Sequence, residues 1–122
     1  MTKEQLRAKI LPIKLFITDV DGVLTDGGMY YTETGDEFKK FNTRDGGGLF
    51  LLQLVGIKTV IVTSEDTKIV QRRAQKLQVD ALFQGTKNKL LALSELLKRY
   101  DLEKHEVAFV GDDINDLLIM KE

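Results

Sequence analysis

From residue 58 onward the chain keeps one rhythm: a short run of β-branched or aliphatic residues, then a longer amphipathic stretch. Residues 58–62 (Lys-Thr-Val-Ile-Val) predict a strand ending at Thr63-Ser64. Residues 66–77 predict a helix carrying Ile69, Val70, Ala74 and Leu77. A short strand over 80–83 leads to Gln84-Gly85, and 86–100 predict a helix with Leu90, Leu91, Leu93, Leu96 and Leu97. Residues 106–110 (Glu-Val-Ala-Phe-Val) predict another strand, running into Gly111-Asp112-Asp113, and 114–120 start a further helix. Strands separated by helices pair in parallel, with crossovers that pack on the sheet faces. The chain is therefore expected to be α/β.

The first half adds two features. Residues 1–10 read as a short polar helix, and 13–18 (Ile-Lys-Leu-Phe-Ile-Thr) as a buried strand running into Asp19-Val20-Asp21-Gly22. Within 26–42, β-rich flanks around Thr34-Gly35-Asp36 predict a β-hairpin. Asp45 is expected to cap a helix that runs to Val55 and stops at Gly56. With 122 residues the chain makes one domain, and its net charge of -1 offers no basic excess for a nucleic-acid backbone. No apolar run reaches the roughly 18 residues of a membrane span. The sequence has no cysteine and a single histidine, His105. Thiolate and multi-histidine metal sites are excluded, and a reducing, cytoplasmic setting is expected.

Ligands of open α/β sheets bind beyond the carboxyl ends of the strands. Three of those ends carry reactive groups here: Asp19 and Asp21, Thr63 and Ser64, Asp112 and Asp113. On an extended backbone Asp19 and Asp21 face the same way, and two adjacent carboxylates repel unless a cation or a shared proton relieves them. Asp112 supplies a third oxygen, so Asp19, Asp21 and Asp112 are the expected ligands of an all-oxygen site suited to Mg²⁺. A carboxylate is also a nucleophile towards phosphorus. Asp19 is expected to attack, and Asp21 to protonate the leaving alkoxide and then to deprotonate the water that splits the aspartyl-phosphate. Thr63 or Ser64 is expected to donate to a phosphoryl oxygen. A lysine is required to compensate its charge. Lys87 and Lys89 both lie early in a predicted helix, and position alone does not separate them.

Four segments in this order resemble the haloacid dehalogenase superfamily of phosphohydrolases: Asp19-Val20-Asp21-Gly22-Val23-Leu24-Thr25-Asp26, Thr63-Ser64, Lys89, and Gly111-Asp112-Asp113-Ile114-Asn115-Asp116. The resemblance selects Lys89 over Lys87. Many members have Thr-Gly at the second segment, where this chain has Thr63-Ser64. The stretches Asp26-Gly27-Gly28-Met29, Lys39-Lys40-Phe41-Asn42-Thr43-Arg44-Asp45-Gly46 and Arg72-Arg73-Ala74-Gln75-Lys76-Leu77 further resemble the capless phosphatases of 3-deoxy-2-keto sugar acids. That group acts on octulosonate 8-phosphates and nonulosonate 9-phosphates. It implies a three-layer, Rossmann-like parallel sheet with a protruding β-hairpin and no cap domain, and Mg²⁺ as cofactor. It also implies a homo-oligomer, a tetramer, in which the hairpin of one subunit covers the next subunit's site. Family members continue for some tens of residues beyond the last motif, so a C-terminal strand and helix are expected to be missing.

The spacing agrees, since neither Asp26 to Asp45 nor Ser64 to Lys89 leaves room for a cap domain. Met29, Tyr30, Tyr31, Phe38 and Phe41 on so small a domain are expected to form an interface. The resemblance places substrate contacts at Glu65, Arg73, Lys76, Thr43 and Asp45, with Glu65 and Lys76 leaning towards a nonulosonate 9-phosphate. Eleven residues of helix between Glu65 and Lys76 would span roughly 16 Å. Lys76 and Arg73 are therefore expected to reach a neighbour's site while Glu65 serves its own. Two other readings exist. One is a non-catalytic assembly module like those fused to sialic acid cytidylyltransferases. The other is a receiver-like phosphoacceptor.

Overall fold

A computed structural model describes residues 1–112 and 114–120 of the chain. Four strands, β1 (Leu15–Thr18), β4 (Lys58–Val62), β5 (Ala81–Phe83) and β6 (Val107–Val110), form one parallel sheet in the order β5-β4-β1-β6. β1 lies between β4 and β6, with Leu15 in register with Lys58 on one side and Val107 on the other. The chain runs outward from β1 through β4 to β5, then returns to place β6 on the opposite flank of β1. The order therefore reverses between β1 and β6, where a doubly wound sheet opens a crevice beyond its strand ends.

The alternation of side chains along β1 and β4 divides the core in two. Leu15, Ile17, Val60 and Val62 pack with Ala92, Leu93 and Leu96 of α4 (Lys89–Tyr100) and Ile119 of α5 (Leu117–Met120). On the opposite face Ile61 joins Val20 and Leu24 against Val70 and Ala74 of α3 (Lys68–Leu77). Helix α2 (Thr43–Leu54) packs beside α3. Its Gln53 amide donates to the Thr59 hydroxyl at 3.0 Å and to the Leu77 carbonyl at 3.1 Å, tying α2 to β4 and to the end of α3. Helix α1 (Lys3–Ile10) buries none of its residues and is held by a capping box between Thr2 and Gln5. The three-layer α/β architecture read from the rhythm of the sequence is present. No helix among the described residues is long and apolar enough to cross a membrane.

Between β1 and α2 the chain makes the hairpin and no cap domain. Tyr30–Tyr31 (β2) pairs antiparallel with Glu37–Phe38 (β3), and an isolated bridge joins Thr25 to Phe41 at the base. Met29, Tyr30, Tyr31 and Phe38 are exposed, whereas Phe41 packs against the α3-side core. Helix α2 starts three residues before the predicted stretch: its cap is Asn42, which accepts from the Arg44 N–H at 2.9 Å, and not Asp45. An asparagine at the end of the hairpin return reaches those first N–H groups sooner than Asp45 can. Leu96, without solvent exposure at the centre of the α4 contact, carries much of one layer. Leu96→Ala is expected to lower unfolding free energy by about 3 kcal/mol, measured by urea denaturation.

Candidate active site

Asp19 follows the last residue of β1, and its N–H donates to the Val110 carbonyl at 3.0 Å. That bond ties the first loop to the end of β6. From Val20 the backbone turns, with the N–H groups of Val23, Leu24 and Thr25 all donating to the Val20 carbonyl. Strand alternation has ended, so Asp19 and Asp21 do not point the same way. Asp19 is buried, with its carboxylate 3.2 Å from the ammonium of Lys89. The same ammonium hydrogen-bonds Asp116, which is completely buried.

Ligand atoms of Asp19, Asp112 and Asp116 lie within 4.8 Å of one another. Asp19 and Asp116 are buried while Asp112 is exposed, so the cluster is open on one side. Two glycines make room for it. Gly22 adopts φ +78°, and a Cβ there would overlap the Asp112 carboxylate; a Cβ on Gly111 would overlap that of Asp116. Lys89 is the first residue of α4, where Asn88 caps the helix and directs the lysine under the sheet edge. Lys87 is exposed. Three carboxylates against one ammonium leave an excess of negative charge on hard oxygen donors, which fits a divalent cation such as Mg²⁺.

Asp21 stands outside this cluster. Its carboxylate accepts from the Lys39 ammonium at 2.8 Å, and Lys39 also lies 3.5 Å from Glu37. Among the described residues the carboxylates that cluster are those of Asp19, Asp112 and Asp116, while the Asp21 side chain turns to Lys39. Asp113 lies outside the described residues. Thr63 directly follows β4; its hydroxyl is buried and accepts from the Glu65 N–H at 3.1 Å, while Ser64 is exposed. Glu65 is not helical, because α3 begins at Lys68 after its cap Thr67. The 16 Å separation expected from one continuous helix does not apply. Instead the charge of Glu65 acts on Lys39.

Thr43 and Asp45 line a cleft of about 570 Å³ with Thr25, Asp26 and Lys40. Arg73 is not directed outward. Its guanidinium donates to the Asn42 carbonyl at 3.2 Å and stacks on Phe41 with 5.2 Å to the ring centroid, so it braces the start of α2. Lys76 is exposed in the last turn of α3. The structure thus gathers Asp19, Lys89 and Asp112, turns the Asp21 side chain to Lys39, places Thr43 and Asp45 along a cleft, and leaves Lys76 exposed on α3. Sequence reasoning omitted two residues from the site. Asp116 was legible, since it lies four residues after Asp112 in one motif. Lys39 opens one of the stretches that carry the resemblance, but no local pattern ties it to Asp21.

A sequence model of haloacid dehalogenase-like hydrolases matches residues 43–122. The chain belongs to that family. Among relatives of this haloacid dehalogenase-like chain is the 3-deoxy-D-manno-octulosonate 8-phosphate phosphatase KdsC of Escherichia coli K12, 42% identical over 115 residues. The match takes in 94% of this chain and 61% of KdsC. The chain thus spans about three-fifths of the length of the curated relatives it matches. The Moraxella catarrhalis octulosonate 8-phosphate phosphatase, solved with magnesium ion, phosphate ion and KDO, superposes with a TM-score of 0.92 at 39% identity. That match covers 97% of this chain and 68% of the other. The Yersinia pestis phosphatase of the same name gives 0.90 at 38% identity, over 93% of this chain and 62% of its own.

Burial raises the Asp19 carboxyl above its ordinary value. The Val20 N–H and Lys89 pull it partly back down, and the charge of Asp116 adds to the rise. Between the ordinary and the raised value the folded protein binds more protons than the unfolded chain. Stability therefore falls as pH climbs through that window and levels off above it. Asp19→Asn is expected to flatten that fall and to raise the melting temperature of the metal-free protein at pH 7, measured by calorimetry across pH. An unchanged pH profile would contradict this account of the site.

Proposed function

We propose that this chain carries the catalytic apparatus of a magnesium-dependent phosphomonoester hydrolase acting on a 3-deoxy-2-keto sugar acid phosphate. One observation carries the reading: a buried carboxylate, Asp19, paired with Lys89 and flanked by Asp112 and Asp116 at the strand-order reversal. Asp19, Asp112 and Asp116 are the residues that would hold Mg²⁺, which when bound offsets charge on the carboxylates and on a phosphoryl group. Asp19 attacks phosphorus, the ester P–O bond breaks, and Asp21 gives a proton to the departing alkoxide. Asp21 then takes a proton from water as that water attacks phosphorus and releases Asp19. Lys89 keeps Asp19 ionised and oriented throughout. Thr63 or Ser64 donates to a phosphoryl oxygen.

The octulosonate 8-phosphate is the first substrate reading, because the similar proteins carry that name. A nonulosonate 9-phosphate is the second, favoured by the resemblance at Glu65, which directly follows Thr63-Ser64, and at Lys76. Thr43 and Asp45 in their cleft supply polar contacts to the sugar. Lys76, exposed on α3, fits a role at a neighbouring subunit's site within a homotetramer, a cytoplasmic assembly on this reading, whereas Arg73 serves its own subunit by bracing the start of α2. The exposed hairpin residues Met29, Tyr30, Tyr31 and Phe38 supply the apolar surface such an assembly buries.

Phosphate release from both sugar acid phosphates with Mg²⁺ tests the reading. Release is expected to fall by about three orders of magnitude in Asp19→Asn. Activity insensitive to that substitution would remove the nucleophile. Folded protein inert on every sugar phosphate would favour the non-catalytic assembly module. Glu65→Ala and Lys76→Ala are expected to shift kcat/KM between the two substrates. Unchanged preference in both variants would remove them as determinants of the sugar.

A further inference from the structure

We propose that Lys39 is a positioning residue that acts from the hairpin on Asp21 of its own subunit, holding that carboxylate apart from the Asp19–Asp112–Asp116 cluster. The inference rests on the phosphatase reading for its catalytic consequence and on geometry alone for the positioning. Lys39 immediately follows β3, so hairpin register fixes its place: Tyr31 pairs with Glu37, and the Thr25–Phe41 bridge closes the base. Its side chain is 1% exposed, so it does not meet substrate. Its ammonium lies 2.8 Å from Asp21 and 3.5 Å from Glu37. Burying an ammonium is costly unless carboxylates compensate it, so Lys39 and Asp21 fix each other.

Asp21 is only two residues from Asp19, and a carboxylate this close to an acidic cluster has an alternative: to turn towards any cation held there. The Lys39 contact, 18 residues away in sequence, opposes that turn. It engages one carboxylate oxygen and leaves a third of the Asp21 side chain exposed. An aspartate held in this way remains free to exchange a proton with a leaving group. The hairpin thereby has a task within its own subunit, separate from any contact with a neighbour.

The test compares Lys39→Met and Lys39→Arg on two esters, octulosonate 8-phosphate and p-nitrophenyl phosphate. An alkoxide needs a proton to leave, and p-nitrophenolate does not. In Lys39→Met, kcat/KM on the sugar phosphate, which covers the steps up to departure of the alkoxide, is expected to fall by about 10- to 100-fold, while kcat/KM on the aryl ester loses less than about threefold; the later hydrolysis of the aspartyl-phosphate is common to both. Lys39→Arg is expected to restore most of the loss. Equal losses on both esters, or none, would overturn the proposal. Lys39→Gln carries the same expectations where the methionine variant does not fold. A crystal structure of the neutral variant is expected to show Asp21 displaced; Asp21 unmoved would overturn the positioning role. If the unaltered protein cleaves neither ester, the phosphatase reading fails, and the crystal structure still decides the placement of Asp21.

Discussion

A single ammonium under the carboxyl edge of the sheet makes the rest of this arrangement tolerable. Asp116 is fully buried and Asp19 nearly so, and charges at such depth are expensive unless paired. Lys89, itself buried, serves both. Its place follows from a chain of ordinary events: Asn88 caps α4, the lysine is the first residue of that helix, and Ala92, Leu93 and Leu96 seat the helix on β1 and β4. One ammonium faces three carboxylates, and burial raises the Asp19 carboxyl above its ordinary value despite Lys89. A site with too little positive charge of its own has a standing affinity for a cation.

Around that pair the elements divide their labour. The parallel strands bring β1 and β6 together, so the loops after them meet through the Asp19 N–H and the Val110 carbonyl. The hairpin supplies Lys39. Helix α2, braced by Arg73 and tied by Gln53, presents Thr43 and Asp45 along a neighbouring cleft. Rigid elements hold the ends, with Asp19, Asp21 and Asp112 on the turns after the strands and Lys89, Thr43 and Asp45 in the first turns of helices.

Much of this was legible in the sequence. Strand 58–62 and the order of all later elements followed from hydrophobic rhythm, because buried parallel strands and amphipathic helices have different periods. Asp19, Lys89 and Asp112 followed from motifs in order. What failed did so for a local reason. The i, i+2 argument for Asp19 and Asp21 assumed extended backbone, but β1 stops at Thr18 and the chain turns at Val20. Placing Glu65 on a helix face assumed that α3 begins before Thr67 caps it. The Lys39–Asp21 pair joins positions that no local period connects, and only the closed hairpin brings them together.

The absence of side chains at Gly22 and Gly111 reaches beyond packing. Each hydrogen stands where a carboxylate must rest, and Gly22 also needs a backbone conformation that other residues rarely adopt. Thr25, which lines the cleft beside Thr43, accepts from the Gly22 N–H at 3.1 Å, so the cleft and the carboxylate cluster share one turn. An alteration at that bend would therefore be felt on both sides of it.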